Sequence, residues 1–148
     1  MIKINIYLIG MMGSGKSTIG QILADRLSMS WFDMDEVIEN RGMKIPEIFE
    51  QYGETKFREI EMEVICQMAN ETRSVVSTGG GVILKPQNVE TMRSSGHVVY
   101  LKASQGTLLR NFGGHGHRCF KQLFIADHVE YQSPIFHLLG VDKFTAHQ

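Results

Sequence analysis

GMMGSGKST, from Gly10 to Thr18, follows directly on the apolar run Ile2–Ile9. Gly10, Gly15, Lys16 and Ser17 match the pattern G-x-x-x-x-G-K-[ST]. The isoleucine-rich run reads as a short buried strand. After the loop, Ile19, Ile22, Leu23 and Leu27 fall on one face of a helix. Strand, glycine loop and helix in that order build a concave nest of inward-pointing backbone N–H groups, and the helix N-terminus adds unpaired donors and partial positive charge. Such a nest fits a di- or triphosphate. Gly13, Ser14, Gly15, Lys16, Ser17 and Thr18 are therefore the expected nucleotide contacts. Lys16 reaches the β- and γ-phosphates, and the Ser17 hydroxyl coordinates Mg²⁺. A plain glycine turn is the competing reading, and the flanking strand and helix speak against it. ATP or GTP binding is the first expectation.

Downstream, strands and helices alternate. Strands are expected at Ser30–Phe32, Ser74–Thr78 and His97–Ala103. From Glu36 to Asn70 the pattern is helical, and Pro46 and Gly53 punctuate it into about three helices. A further helix runs from Pro86 to Arg93, with proline in its first turn. This alternation predicts an α/β fold with a parallel sheet. The pattern weakens after Phe112.

At 148 residues the chain has room for one domain with a true core. A net charge of −1 gives no field that draws it to nucleic acid or to a membrane surface. Two distant cysteines, Cys66 and Cys119, make no disulfide framework, and no stretch reaches the length of a membrane span. A cytoplasmic protein is expected.

A phosphate loop alone does not separate a kinase from a switch or a motor. Asp33 and Asp35 stand two apart at the end of a short strand, so in extended backbone both carboxylates point the same way, toward the cleft at the carboxyl edge of the sheet. One can hold Mg²⁺ through water and the other can accept a hydroxyl proton; the competing reading is an aspartate that caps the following helix, a role open to Asp35. Arg58 lies on a helix among acidic residues, where it makes either a surface ion pair or a planar fork for a substrate carboxylate. Gly79, Gly80 and Gly81 end a strand and let backbone approach a ligand closely. His115, His117 and Cys119 suggest zinc, but no second Cys-His cluster completes a four-ligand set.

Taken together, GMMGSGKST, FDMDEVIE, IPEIFEQYGETKFREIE, STGGGVI and VVYLKAS resemble the shikimate kinases, of the nucleoside-monophosphate-kinase-like P-loop group. The matching stretches lie in order from about residue 4 to 104. The resemblance implies ATP-dependent phosphorylation of the 3-hydroxyl of shikimate, a three-layer P-loop kinase fold over residues 1–148, and a five-stranded parallel sheet flanked by helices. It also implies a substrate-binding helical segment at about 35–62 and a lid at about 112–122. By motif match, Asp35 binds the shikimate hydroxyls and is the candidate base, and Asp33 holds Mg²⁺ through water. Arg58 grips the shikimate carboxylate, the backbone around Gly80 donates N–H groups, and Arg118 clamps phosphate from the lid. A monomer acting on a small molecule, with no nucleic acid or membrane partner, is expected.

The last third departs from the family. Cys119 replaces the lid proline, and Gln132 stands where the family has an arginine. A glutamine supplies no fixed positive charge. The family's last strand, adenine-contacting loop and closing helix are expected to be shortened or missing. A gluconate- or nucleotide-type kinase, and a degenerate relative that binds ATP without turnover, are the competing functions.

Overall fold

The computed structural model of the chain describes residues 4–11 and 14–101. Strand β1 (Asn5–Ile9) leads through the glycine loop into helix α1 (Lys16–Leu27) and strand β2 (Ser30–Asp33). Helices α2 (Met34–Glu39) and α3 (Ile45–Ala69) follow, then β3 (Ser74–Ser77), a single 3₁₀ turn at Val82–Leu84, α4 (Pro86–Ser95) and β4 (Gly96–Tyr100). The helical stretch expected from Glu36 onward is thus two helices, the second broken at Gly53, where φ is +81°. Pro46 sits in the first turn of α3, where its missing N–H costs no helical hydrogen bond.

All pairings are parallel, in the order β2-β3-β1-β4. Successive side chains alternate between two cores. Leu8, Trp31, Val75 and Val99 face α1, packing with Ala24 and Leu23. Tyr7, Phe32, Val76 and Val98 face the opposite layer, packing with Ile38 of α2, Val64 and Ile65 of α3 and Met92 of α4. Because helices cover both faces, β1 and β3 read as continuous apolar runs rather than as alternating ones.

The chain leaves β1 toward β2 and leaves β3 toward β4 on the other side of β1. The crevice at the carboxyl ends of β1 and β3 is therefore the point where the strand order reverses, and open α/β sheets bind ligands there. Gly10, Met11, Ser14 and Gly15 after β1 and the glycines at 79–81 after β3 follow directly on those strand ends. Among the described residues, no helix is long and apolar enough to cross a membrane.

Candidate functional site

The phosphate loop enters α1 through Gly15, which takes a left-handed conformation (φ +89°) that side chains adopt only with strain. Lys16, the first helical residue, is buried, and its Nζ folds back to donate to Gly10 O at 2.7 Å and Met11 O at 2.9 Å. Withdrawal from water brings its pKa down to about 8, against the attraction of Asp35 and Asp33. Ser14 Oγ is buried without a hydrogen-bond partner. Ser17 and Thr18 are exposed on the first turn of α1, and Ser17 Oγ donates to Asp33 Oδ2 at 2.6 Å.

The two aspartates do not share one stretch of extended backbone. Strand β2 ends at Asp33 and α2 begins at Met34, so Asp35 belongs to a helical first turn. Asp33 causes this. Its Oδ1 accepts from the backbone N–H of Asp35 at 2.9 Å and of Glu36 at 3.3 Å. The capping aspartate is Asp33 rather than Asp35, which leaves the Asp35 carboxylate free of that duty. Asp35 keeps solvent contact, but partial removal of its carboxyl from water and the nearby Asp33 charge raise its pKa, with Lys16 opposing.

Arg58 is not a surface residue. Its guanidinium is buried and donates from Nη1 to Glu61 Oε1 at 2.9 Å and from Nη2 to the exposed Glu54 at 3.4 Å. Arg58 Nε is buried and unpartnered. The guanidinium lies directly against Gly81, where a Cβ would collide with it. A Cβ on Gly79 would lie 3.1 Å from Glu61 Oε2 and 3.5 Å from Asp35 Oδ1. The strand-end glycines thus pack against Arg58, Glu61 and Asp35 together. Gly80 is half-buried between them.

Glu61 has no counterpart among the sequence expectations. It is almost wholly buried, and burial raises its pKa against the pull of Arg58. Its spacing of one helical turn from Arg58 was the available signal, but spacing alone did not reveal that this face of α3 is buried.

Gly13, Arg118, Gln132, the lid segment 112–122 and the His115–Cys119 cluster lie outside the described residues. Among the described residues, no group of three His, Cys, Asp or Glu side chains could hold a metal ion.

The family model for shikimate kinase matches residues 12–130. A shikimate kinase of Sulfurihydrogenibium is 51% identical over 106 residues, covering 71% of this chain and 64% of the relative. One of Caldicellulosiruptor bescii is 47% identical over 107 residues, covering 72% of this chain and 62% of the relative. The chain thus spans somewhat less than two thirds of the length of these curated relatives. Among solved structures, the shikimate kinase of Acinetobacter baumannii in complex with shikimate superposes with a TM-score of 0.78 at 31% identity, covering 99% of this chain and 83% of that one. A gluconokinase of Sinorhizobium meliloti superposes at 0.54 with 17% identity, over 92% of this chain and 87% of that one, and shares the fold alone.

Proposed function

This chain belongs to the shikimate kinase family, and from that premise we propose that it transfers the γ-phosphate of ATP to the 3-hydroxyl of shikimate. The observation that carries this reading is the meeting, at one crevice, of a phosphate loop and an acceptor-type cluster. Ser17 is bonded to Asp33, Lys16 lies within electrostatic reach of Asp35 and Asp33, and Gly79 and Gly81 pack against Asp35, Glu61 and Arg58.

The residues present fit the groups they would hold. Ser14 Oγ is a buried hydroxyl in want of a partner, and a phosphate oxygen would satisfy it. The buried cation of Lys16 suits the β- and γ-phosphates. Ser17 Oγ and Asp33 Oδ2 form a hard oxygen pair of the kind that Mg²⁺ takes with waters and phosphates. Bound there, Mg²⁺ would offset the charge that develops on the transferring phosphoryl group. The unpartnered Nε–H of Arg58 gives a substrate carboxylate one donor not already committed to glutamate. Backbone N–H groups around Gly80 complete that end of the substrate site.

In the transfer, Asp35 accepts the proton of the acceptor hydroxyl as its oxygen bonds to the γ-phosphorus. The bond from that phosphorus to the β-phosphate oxygen breaks, and ADP leaves. Arg118 clamps phosphate from a lid at about 112–122. Residues 1–148 work as one P-loop kinase domain, a cytoplasmic monomer without nucleic acid or membrane partners. The neighbour that holds shikimate, at 31% identity, supports shikimate as the acceptor.

One residue favours a second reading. Gln132 stands where the family has an arginine and supplies no fixed positive charge, as in a degenerate relative that binds ATP without turnover. A coupled ADP-release assay separates the two. The kinase reading expects Mg²⁺-dependent release with shikimate and none with gluconate. Tight ATP binding with no shikimate-dependent release would establish the degenerate relative instead.

A further inference from the structure

The last residue of β3 and the residue after it hold both feet of the phosphate loop. Before the loop, the backbone N–H of Thr78 and its Oγ1 both donate to Leu8 O, at 3.1 and 2.7 Å. After it, Ser77 Oγ donates to Lys16 O at 2.6 Å. The same Ser77 oxygen accepts from Trp31 Nε1 at 3.0 Å. The polarity is fixed by the groups themselves: a carbonyl only accepts and an indole N–H only donates, so the single hydroxyl proton of Ser77 points at Lys16. Ser77 and Thr78 are both buried. Helix α1 comes this close because residue 20 is glycine; a Cβ there would run into Ser77 Oγ and Trp31 Nε1.

We propose that Ser77 and Thr78 are positioning residues for phosphoryl transfer, their hydroxyls fixing the two ends of the phosphate loop and hence the point from which Lys16 reaches the phosphates. The inference rests on the reading of Lys16 as the phosphate-binding cation. Neither hydroxyl needs to touch substrate. Each acts through a main-chain carbonyl, one just before the loop and one on Lys16 itself. Displacement of a reacting assembly by about 1 Å costs on the order of a hundredfold in rate, so a slackened loop is expected to lower turnover. Trp31 is the single tryptophan of the chain and bonds directly to Ser77, which makes it a reporter of the clamp.

The test compares the full chain with Ser77→Ala, Thr78→Val and Thr78→Ser. The first two are expected to lower kcat by about tenfold or more while KM for shikimate stays within about twofold. Thr78→Ser keeps the hydroxyl and is expected to keep wild-type kcat. Titration with ATP is expected to shift Trp31 emission in the wild type and in Thr78→Ser, and to shift it less in Ser77→Ala. Unchanged kcat in folded Ser77→Ala and Thr78→Val, with only a lowered Tm, would overturn the proposal. Should Ser77→Ala fail to fold, the Thr78 pair decides alone. A wild type that binds ATP but turns nothing over refutes the kinase reading and not the clamp. In that case calorimetric ATP affinity is read instead, and equal affinity in wild type and both variants overturns the clamp.

Discussion

Ser17 Oγ donates to Asp33 Oδ2 at 2.6 Å while the other oxygen of the same carboxylate caps α2. One side chain therefore ties the first turn of α1 to the end of β2 and also sets the helix that carries Asp35. The two tasks can be separated. Asn caps a helix about as well as Asp, whereas Ala costs about 1 kcal/mol at a cap. Asp33→Asn is expected to unfold in urea near the wild-type midpoint, and Asp33→Ala earlier. Both should lose Mg²⁺-dependent turnover, since neither presents a carboxylate beside Ser17. Equal stability of the two variants would remove the capping role.

The lowered pKa of Lys16, about 8, gives nucleotide binding a pH dependence. Phosphate binding favours the charged lysine. Above about pH 8 the free protein has lost that proton and must take it up again, so ATP affinity is expected to fall by up to about tenfold per pH unit. Calorimetry in buffers of different ionisation enthalpy reads the proton uptake directly. Folding responds with the opposite slope. Between about 8 and the ordinary lysine value the unfolded chain holds the proton and the folded chain does not, so the nucleotide-free protein gains stability as pH rises. Lys16→Ala is expected to abolish transfer, keep the fold and flatten both dependences.

How much of this was legible beforehand depends on how local the cause is. The strand and helix that flank the loop before Lys16 follow from glycine spacing and apolar periodicity within the one stretch Asn5–Leu27, and the structure has both. The register of the strand ends does not follow in the same way. Asp33 and Asp35 look like neighbours on one strand face until a side-chain cap starts the helix at Met34, a competition between two backbone states that composition does not resolve. Arg58 reads as either a surface ion pair or a carboxylate fork, and Glu61 is not singled out at all. Their burial comes from the glycines that follow β3: Gly81 packs against the guanidinium and Gly79 against the Glu61 carboxylate. Sequence patterns report which groups share a helix face and stay silent on which distant backbone closes over it.

For Asp35 the raised pKa gives a prediction in two parts. A general base must be ionised, so turnover is expected to decline with falling pH sooner than for an ordinary carboxylate. Asp35→Asn is expected to cut kcat by about 10²–10⁴-fold while ATP affinity changes little. Stability should not suffer. In the window between the ordinary and the raised pKa the folded protein binds more protons than the unfolded chain, so the charged aspartate costs stability as pH rises. The Asn variant lacks that cost, and urea denaturation at neutral and acidic pH is expected to show a shallower pH slope for it. An equal loss of ATP affinity and kcat would assign Asp35 to the metal instead.

Arg58 has two acidic partners on its own helix, and burial predicts that they are worth very different amounts. Glu61 is 1% exposed at its side chain and Glu54 is 64% exposed. Removing the partner of a buried charge leaves that charge uncompensated and costs roughly 3–5 kcal/mol, whereas an exposed pair contributes roughly 0–1 kcal/mol. Glu61→Ala is therefore expected to lower the urea midpoint sharply, and Glu54→Ala hardly at all. Glu61→Gln keeps an acceptor for Arg58 Nη1 and should fall between them. The same order is expected for shikimate. A guanidinium held less firmly by residue 61 shifts from its place against Gly81, so its one uncommitted donor, Nε–H, is turned away from the carboxylate. Losing one charge-assisted hydrogen bond, about 1.5–3 kcal/mol, weakens binding by roughly 10- to 150-fold. Calorimetric titration of folded Glu61→Gln and Glu54→Ala with shikimate checks this without relying on the least stable variant. If Glu54→Ala binds shikimate as poorly as Glu61→Gln, Arg58 is oriented by the solvent-facing partner, and the buried pair serves packing alone.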